Sequence, residues 1–159
     1  IAGREIEEGV LEHDSCEGLP DVTVPGEIQV GHTDGFYSYA AKYLASDANK
    51  LCIPAVLSQD ATRCVQMASA EIFTRLRCHG LARVDFFVQS ETDKIYFNEI
   101  NPLPGFTLFS MFPKLWEASG LHYSALLDRL IALAQMRQRS RAKLETDYSS
   151  VSASHHALV

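Results

Sequence analysis

Arg83 and Asp85 flank Val84 in A-R-V-D-F-F, and Glu99 and Asn101 flank Ile100 in F-N-E-I-N-P. Side chains two residues apart on a strand share a face, so each segment, read as a strand, presents two polar groups on one side. Two carboxylates and an amide oxygen are hard donors suited to Mg²⁺ or Mn²⁺, and magnesium commonly completes its shell with phosphate oxygens and water. A guanidinium beside them suits a negatively charged reaction centre. The plainer alternative is a surface ladder in which Arg83 pairs with Asp85 or Glu99 across two strands, an arrangement worth little. Spacing alone divides evenly between the two. The sequel N-P-L-P-G-F-T favours the first, because its prolines stiffen a turn that exposes backbone amides near Gly105 of a kind able to hold an oxyanion.

These groups converge only if the elements around them form. Leu81 to Val88 and Ile95 to Ile100 are apolar runs joined by the polar S-E-T-D-K, which predicts two antiparallel neighbouring strands. Ahead of them, Ser58 predicts the cap of a helix reaching about Cys78, with Val65, Ala68, Ile72 and Leu76 as its inner stripe and His79-Gly80 closing it. Residues 1 to 13 read as a strand packed on one face, 14 to 25 as a loop, 27 to 30 as a short strand, and Leu51 to Ala55 as another. Residues 31 to 50 hold three tyrosines and a phenylalanine without settled periodicity and read as a long irregular loop. After the turn, Phe112 to Ser119 predicts a short helix ended by Gly120. Tyr123 to Arg137 predicts a longer one with Leu126, Leu127, Leu130, Ile131 and Leu133 facing inward. Trp116 is assigned to the core. From about Gln138 the chain turns polar and serine-rich, so residues 138–159 are expected to form a helical extension fraying into a mobile tail.

Composition narrows the function. With 159 residues, 47% hydrophobic and 21% charged, the chain has ordinary globular usage, and 14 Lys+Arg against 20 Asp+Glu give a formal charge of −6. An acidic chain lacks the basic face that nucleic acid or an anionic membrane requires. No apolar run nears the roughly 18 residues that span a bilayer, and the first residues lack a signal-peptide core, so a cytoplasmic location is expected. Cys16, Cys52, Cys64 and Cys78 are scattered and read as reduced and structural, and the 6 histidines show no ligand spacing. There is no initiator Met and the first residues already read as a strand, so the sequence is expected to be a piece of something longer.

A-R-V-D-F-F, F-N-E-I-N-P-L-P-G-F-T and S-M-F-P-K-L-W-E-A-S-G together resemble the carboxyl half of bacterial D-alanine:D-alanine ligases, members of the ATP-grasp superfamily. The resemblance runs from about Ile1 to Ala134 and includes I-A-G-R-E-I-E and F-Y-S-Y-A-A-K-Y. It implies an α+β fold, the carboxyl-terminal ATP-grasp subdomain over residues 1–137, with a mostly antiparallel sheet flanked by helices. It implies that Asp85, Glu99 and Asn101 hold two Mg²⁺ or Mn²⁺ ions bridging the ATP phosphates, and that Arg83 and the Gly105 amide stabilise a tetrahedral oxyanion. Glu5 matches the ribose-binding glutamate, Phe36 an aromatic against adenine, and Lys42 a loop lysine reaching the phosphates. Tyr43 belongs to the active-site cover, and Ser110 with the Met111 backbone matches the site for the carboxylate of the second D-alanine. Without the resemblance, Glu5 reads as an exposed strand charge, Phe36 as core, Lys42 and Tyr43 as an ordinary loop pair, and Ser110 as a helix cap. Glu7 and Glu8 are read as exposed strand charges in either case.

The implied reaction phosphorylates one D-alanine carboxylate with ATP, after which a second D-alanine attacks the acylphosphate, the dipeptide serving peptidoglycan synthesis. The implied partners are ATP, D-alanine and the remainder of the ligase, with a homodimer of the complete enzyme. Intact members begin with an amino-terminal substrate domain and a first ATP-grasp subdomain, whose catalytic glutamate and serine and phosphate-binding lysines have no counterpart in this sequence. The chain alone is therefore expected to turn over little or nothing. The alternatives are another carboxylate-amine ATP-grasp ligase, including a D-alanine:D-serine ligase, or a noncatalytic nucleotide-binding module.

Overall fold

Alternation in R-E-I-E-E-G-V-L sets the centre of the fold. A computed structural model describes residues 3–15, 18–30, 49–107 and 109–144. Strand β1 (Arg4–Leu11) sends Ile6, Glu8 and Val10 to one face and Glu5, Glu7 and Gly9 to the other. It pairs along its whole length with β5 (Leu81–Val88), and on its other side with β2 (Asp21–Val22) and β3 (Gly26–Val30). β4 (Asn49–Cys52) extends the sheet beyond β3, and β6 (Ile95–Asn101) beyond β5, giving the order β4-β3-β1-β5-β6 with every pairing antiparallel. The expected 14–25 loop thus contains a two-residue strand, and the expected strand at Leu51 to Ala55 is displaced to Asn49–Cys52.

Helix α1 (Gln59–Arg75) covers one face of the sheet. Ser58 caps it as predicted, accepting from the Ala61 amide at 3.1 Å while donating to Asp93 of the β5–β6 turn at 2.6 Å. The core on this side joins Ile6, Val10, Val65, Phe73, Ala82, Val84, Phe86 and Val88. The predicted stripe is corrected at its end: Leu76 is exposed and Phe73 takes the buried position, because the helix stops at Arg75. Its closure is a Schellman turn in which the Cys78 amide reaches Phe73 O and the Arg77 amide reaches Thr74 O, both at 3.0 Å. Arg77, at φ +53°, takes the left-handed place expected of glycine, and Gly80 at φ +71° serves the turn into β5 instead.

Helices α2 (Met111–Ala118) and α3 (Tyr123–Ala142) lie against the other face, so among the described residues three helices flank the sheet. Of the inward set expected in α3, Leu126 and Leu133 are buried and Leu130 packs beside them, while Leu127 and Ile131 are exposed. At 100° per residue one helix face cannot hold all five. The helix continues through Ala142, past Gln138. Residues 145–159 of the expected tail, and Cys16, lie outside the described residues. Of the other cysteines, Cys64 is exposed and Cys52 and Cys78 are half-buried, so none of these three is a core residue.

Helix α2 approaches the sheet over glycine. A Cβ on Gly9 would stand 2.9 Å from Trp116 Nε1, 3.0 Å from Thr23 Cγ2 and 3.3 Å from Phe112 Cε2, and both rings are buried. Gly9→Val is therefore expected to cost about 1–3 kcal/mol through overpacking. Urea denaturation measures the loss; unchanged stability would mean that α2 does not rest on β1.

Candidate active site

On the face shared with α2 and α3, three strands place three carboxylates in line: Glu7 of β1 is opposite Asp85 of β5, which is opposite Glu99 of β6. Arg83, two residues from Asp85, sits opposite Gly9 and Asn101. The four groups singled out from the sequence therefore share one face, and a bulge makes this possible. From the turn inward, Val88 pairs with Ile95, Phe87 with Tyr96 and Phe86 with Phe97; then the register slips by one, so that Asp85 meets Glu99 and Asn98 is the extra residue. Continued without the slip, the ladder would set Glu99 against Val84 on the α1 face.

The surface-ladder alternative fails on burial. Glu7, Asp85 and Arg83 are 1%, 2% and 8% exposed. Asp85 grips Arg83 with both oxygens, Nε at 2.8 Å and Nη2 at 2.7 Å. Glu7 Oε2 lies 3.3 Å from the same Nε, and Glu99 Oε1 stands 4.0 Å from Nη2. Burial by itself lowers the guanidinium's pKa, but the hydrogen bonds to Asp85 and the charges of Glu7, Asp85 and Glu99 outweigh it and push the pKa up. Arg83 is thus a permanent cation held among carboxylates. Glu99, with a side chain 59% exposed, borders the cluster from the edge strand.

Glu7 and Glu8 are not the solvated charges expected. Both are buried, Glu7 beside Arg83 and Glu8 on the α1 face, where its Oε2 meets Ser69 Oγ at a long 3.5 Å. Its Oε1 has no hydrogen-bond partner among the described residues. Burial pushes the Glu8 carboxyl up to about 9, against the smaller opposing effect of Ser69, so it holds its proton at neutral pH. One signal in the sequence could have found Glu7: counting two residues from Glu5 reaches it, and two more reach Gly9, all on one face of the strand.

Beyond β6 the turn folds back towards α2. Asn101 Oδ1 accepts from the Leu103 amide at 3.0 Å, leaving this oxygen a second lone pair. Ser110 occupies the backbone position of an α2 cap, yet its side chain makes no capping bond to the helix. Its hydroxyl instead accepts from the Thr107 amide at 3.0 Å and meets Thr107 Oγ1 at 2.9 Å. A Cβ on Gly105 would come within 3.0 Å of this hydroxyl, so Gly105 and Ser110 are neighbours. Met111, the first residue of α2, is buried against Ile28 and Leu115. Glu5 lies on β1 one step along the face from Glu7, opposite Ile28 and Phe87. Phe36, Lys42 and Tyr43 lie outside the described residues.

Among the described residues no group of three His, Cys, Asp or Glu side chains forms a ready metal cage. Magnesium seldom uses one: it takes one or two carboxylates and completes its shell with substrate phosphates and water. The donors of Asp85, Glu99 and Asn101 fit that pattern.

An antiparallel sheet with helices on both faces is the architecture of the ATP-grasp ligases. The chain belongs to the family described as D-ala D-ala ligase C-terminus, which it matches over residues 1–132. It is 53% identical over 148 residues to a D-alanine--D-alanine ligase of Legionella pneumophila (strain Lens), covering 93% of this chain and 41% of that protein. The structure of the D-alanine-D-alanine ligase from Coxiella burnetii superposes with a TM-score of 0.75 at 38% identity, over 96% of this chain and 38% of that one. A Bacillus anthracis D-alanine--D-alanine ligase complexed with ATP superposes at 0.67 with 25% identity, over 89% and 41%. The chain thus spans about two fifths of the length of these relatives.

Proposed function

We propose that this chain is the carboxyl-terminal, metal- and phosphate-handling part of a D-alanine:D-alanine ligase, a bacterial cytoplasmic enzyme of peptidoglycan synthesis. The observation that carries this reading is the row Glu7, Asp85, Glu99 with Arg83 buried beside it, next to a turn that ends at a helix start. A bound Mg²⁺ or Mn²⁺ pair on Asp85, Glu99 and Asn101 supplies neutralisation of the triphosphate charge. Glu5 binds the ribose, Phe36 lies against adenine and Lys42 reaches the phosphates. Tyr43 closes over the site, keeping water from an acylphosphate that would hydrolyse. The Ser110 hydroxyl and the Met111 amide, one of the α2 amides with no partner within the helix, receive the carboxylate of the second D-alanine.

In the reaction, one D-alanine carboxylate takes the γ-phosphoryl group of ATP and releases ADP. The amine of the second attacks the acyl carbon, loses a proton and expels phosphate. Arg83 and the Gly105 amide stabilise the oxyanion formed between these events. The ATP complex of the Bacillus anthracis relative supports the choice of nucleotide.

Joined to the portion its relatives carry ahead of it, the chain is expected to release phosphate from ATP and Mg²⁺ only when D-alanine is added, and alone to release little or none. Phosphate release with D-serine as second substrate but not D-alanine would move the reading to the D-serine-forming ligases. Nucleotide binding without any release would leave a binding module.

A further inference from the structure

Arg83 meets more negative charge than its own pairing needs. Asp85 alone satisfies it bidentately, accounting for two of the five N–H donors of a guanidinium. Yet β1 brings a second buried carboxylate, Glu7, to 3.3 Å of the same Nε, and like charges directly opposite on neighbouring strands repel. A carboxylate buried in such a place is costly to desolvate.

The arrangement has a use if Asp85 has two duties. Under the ligase reading, on which this inference rests, Asp85 both holds Arg83 and faces a divalent cation. A cation that draws on the Asp85 oxygens weakens their grip on the guanidinium and repels it. Glu7 sits on the strand away from Glu99, with β5 between them, and it is not among the proposed metal ligands. We propose that Glu7 is a positioning residue that keeps Arg83 in place, its remaining N–H donors turned to the reacting acyl group, when Asp85 is shared with metal. Partners that orient the ligands of a metal site typically matter by about 10–100-fold, which sets the scale for one placed a contact further out.

The test uses the complete ligase, this chain joined to the portion its relatives carry ahead of it. Glu7→Leu fills the buried space without the charge, and Glu7→Gln keeps an acceptor for Nε. In Glu7→Leu, kcat is expected to fall about 10- to 100-fold with the KM for ATP little changed, and Glu7→Gln to recover most of the loss. A second readout is independent of turnover. With ¹⁵N-arginine labelling and Arg83→Lys for assignment, the Arg83 Nε–H resonance in the presence of Mn²⁺-free Mg²⁺–ADP is expected to stay protected from solvent exchange in the unmodified protein and in Glu7→Gln, and to be lost in Glu7→Leu. Should Glu7→Leu not fold, Glu7→Asp, which withdraws the carboxylate by one methylene, is expected to lower kcat by an intermediate factor. An unchanged kcat in the folded variant, or an Nε–H signal equally protected in Glu7→Leu, overturns the proposal. Failure of the ligase reading is recognised separately, by the unmodified protein releasing no phosphate with D-alanine.

Discussion

Glu99→Gln in the complete ligase is expected to lower turnover by about 10³-fold or more while leaving the fold intact. Lewis-acid stabilisation by a bound metal is worth several kcal/mol, and each 1.36 kcal/mol is a factor of ten in rate. Glutamine preserves the shape of Glu99 but offers a neutral amide oxygen in place of a carboxylate, a poor exchange at a hard divalent cation. The fold should tolerate the change because the Glu99 side chain is 59% exposed and stands 4.0 Å from Arg83, whose close partners are Asp85 and Glu7. Phosphate release, Mn²⁺ affinity by calorimetry and circular dichroism together check this. A variant with the parent's rate and Mn²⁺ affinity removes Glu99 from the metal set.

The second large effect concerns Glu8, on the opposite face. In the unfolded chain its carboxyl titrates near the ordinary 4.5, whereas in the folded protein burial holds the proton on to about pH 9. Between those values the folded state binds one proton more than the unfolded state, so this group's contribution falls as pH rises. It is fully present below about 4.5, declines by about 1.4 kcal/mol per pH unit across the window, and is gone above about 9. From pH 6 to pH 8 the loss is expected to be about 2–3 kcal/mol. Other groups titrate as well, so the decisive quantity is the difference between the parent and Glu8→Gln, which has no proton to lose. Urea denaturation at the two pH values gives it. If both proteins lose the same stability, Glu8 is ionised in the folded state.

These effects differ in how far the residues announced them. That Asp85 and Glu99 share a face with Arg83 was legible from the two-residue spacing and the hairpin, while the chemistry they carry stays a proposal. The β5–β6 hairpin, the Ser58 cap and the short helix before Gly120 were legible for similar reasons, each resting on contacts within a few residues. Glu7 and Glu8 read as solvated in the sequence, since a run of charges in a strand looks exposed until the layers on both faces are known, and both are buried. Leu76 follows the helical period of Val65, Ala68 and Ile72, and Leu127 and Ile131 belong to an apolar run, but the end of one helix and the phase of the other put all three outside.

By itself, then, the chain's sequence determined the two-residue spacing of Arg83, Asp85, Glu99 and Asn101, the hairpin that carries them and the family to which the chain belongs. Tertiary structure decided the rest: the slip at Asp85 that turns Glu99 towards Arg83, the burial of Glu7 against that same arginine, and the seating of α2 over Gly9. The reason is one of range. Alternation along a strand is fixed by neighbouring residues, but the register between strands, and which face a helix covers, depend on partners as distant as Glu7 and Asp85 or Gly9 and Trp116.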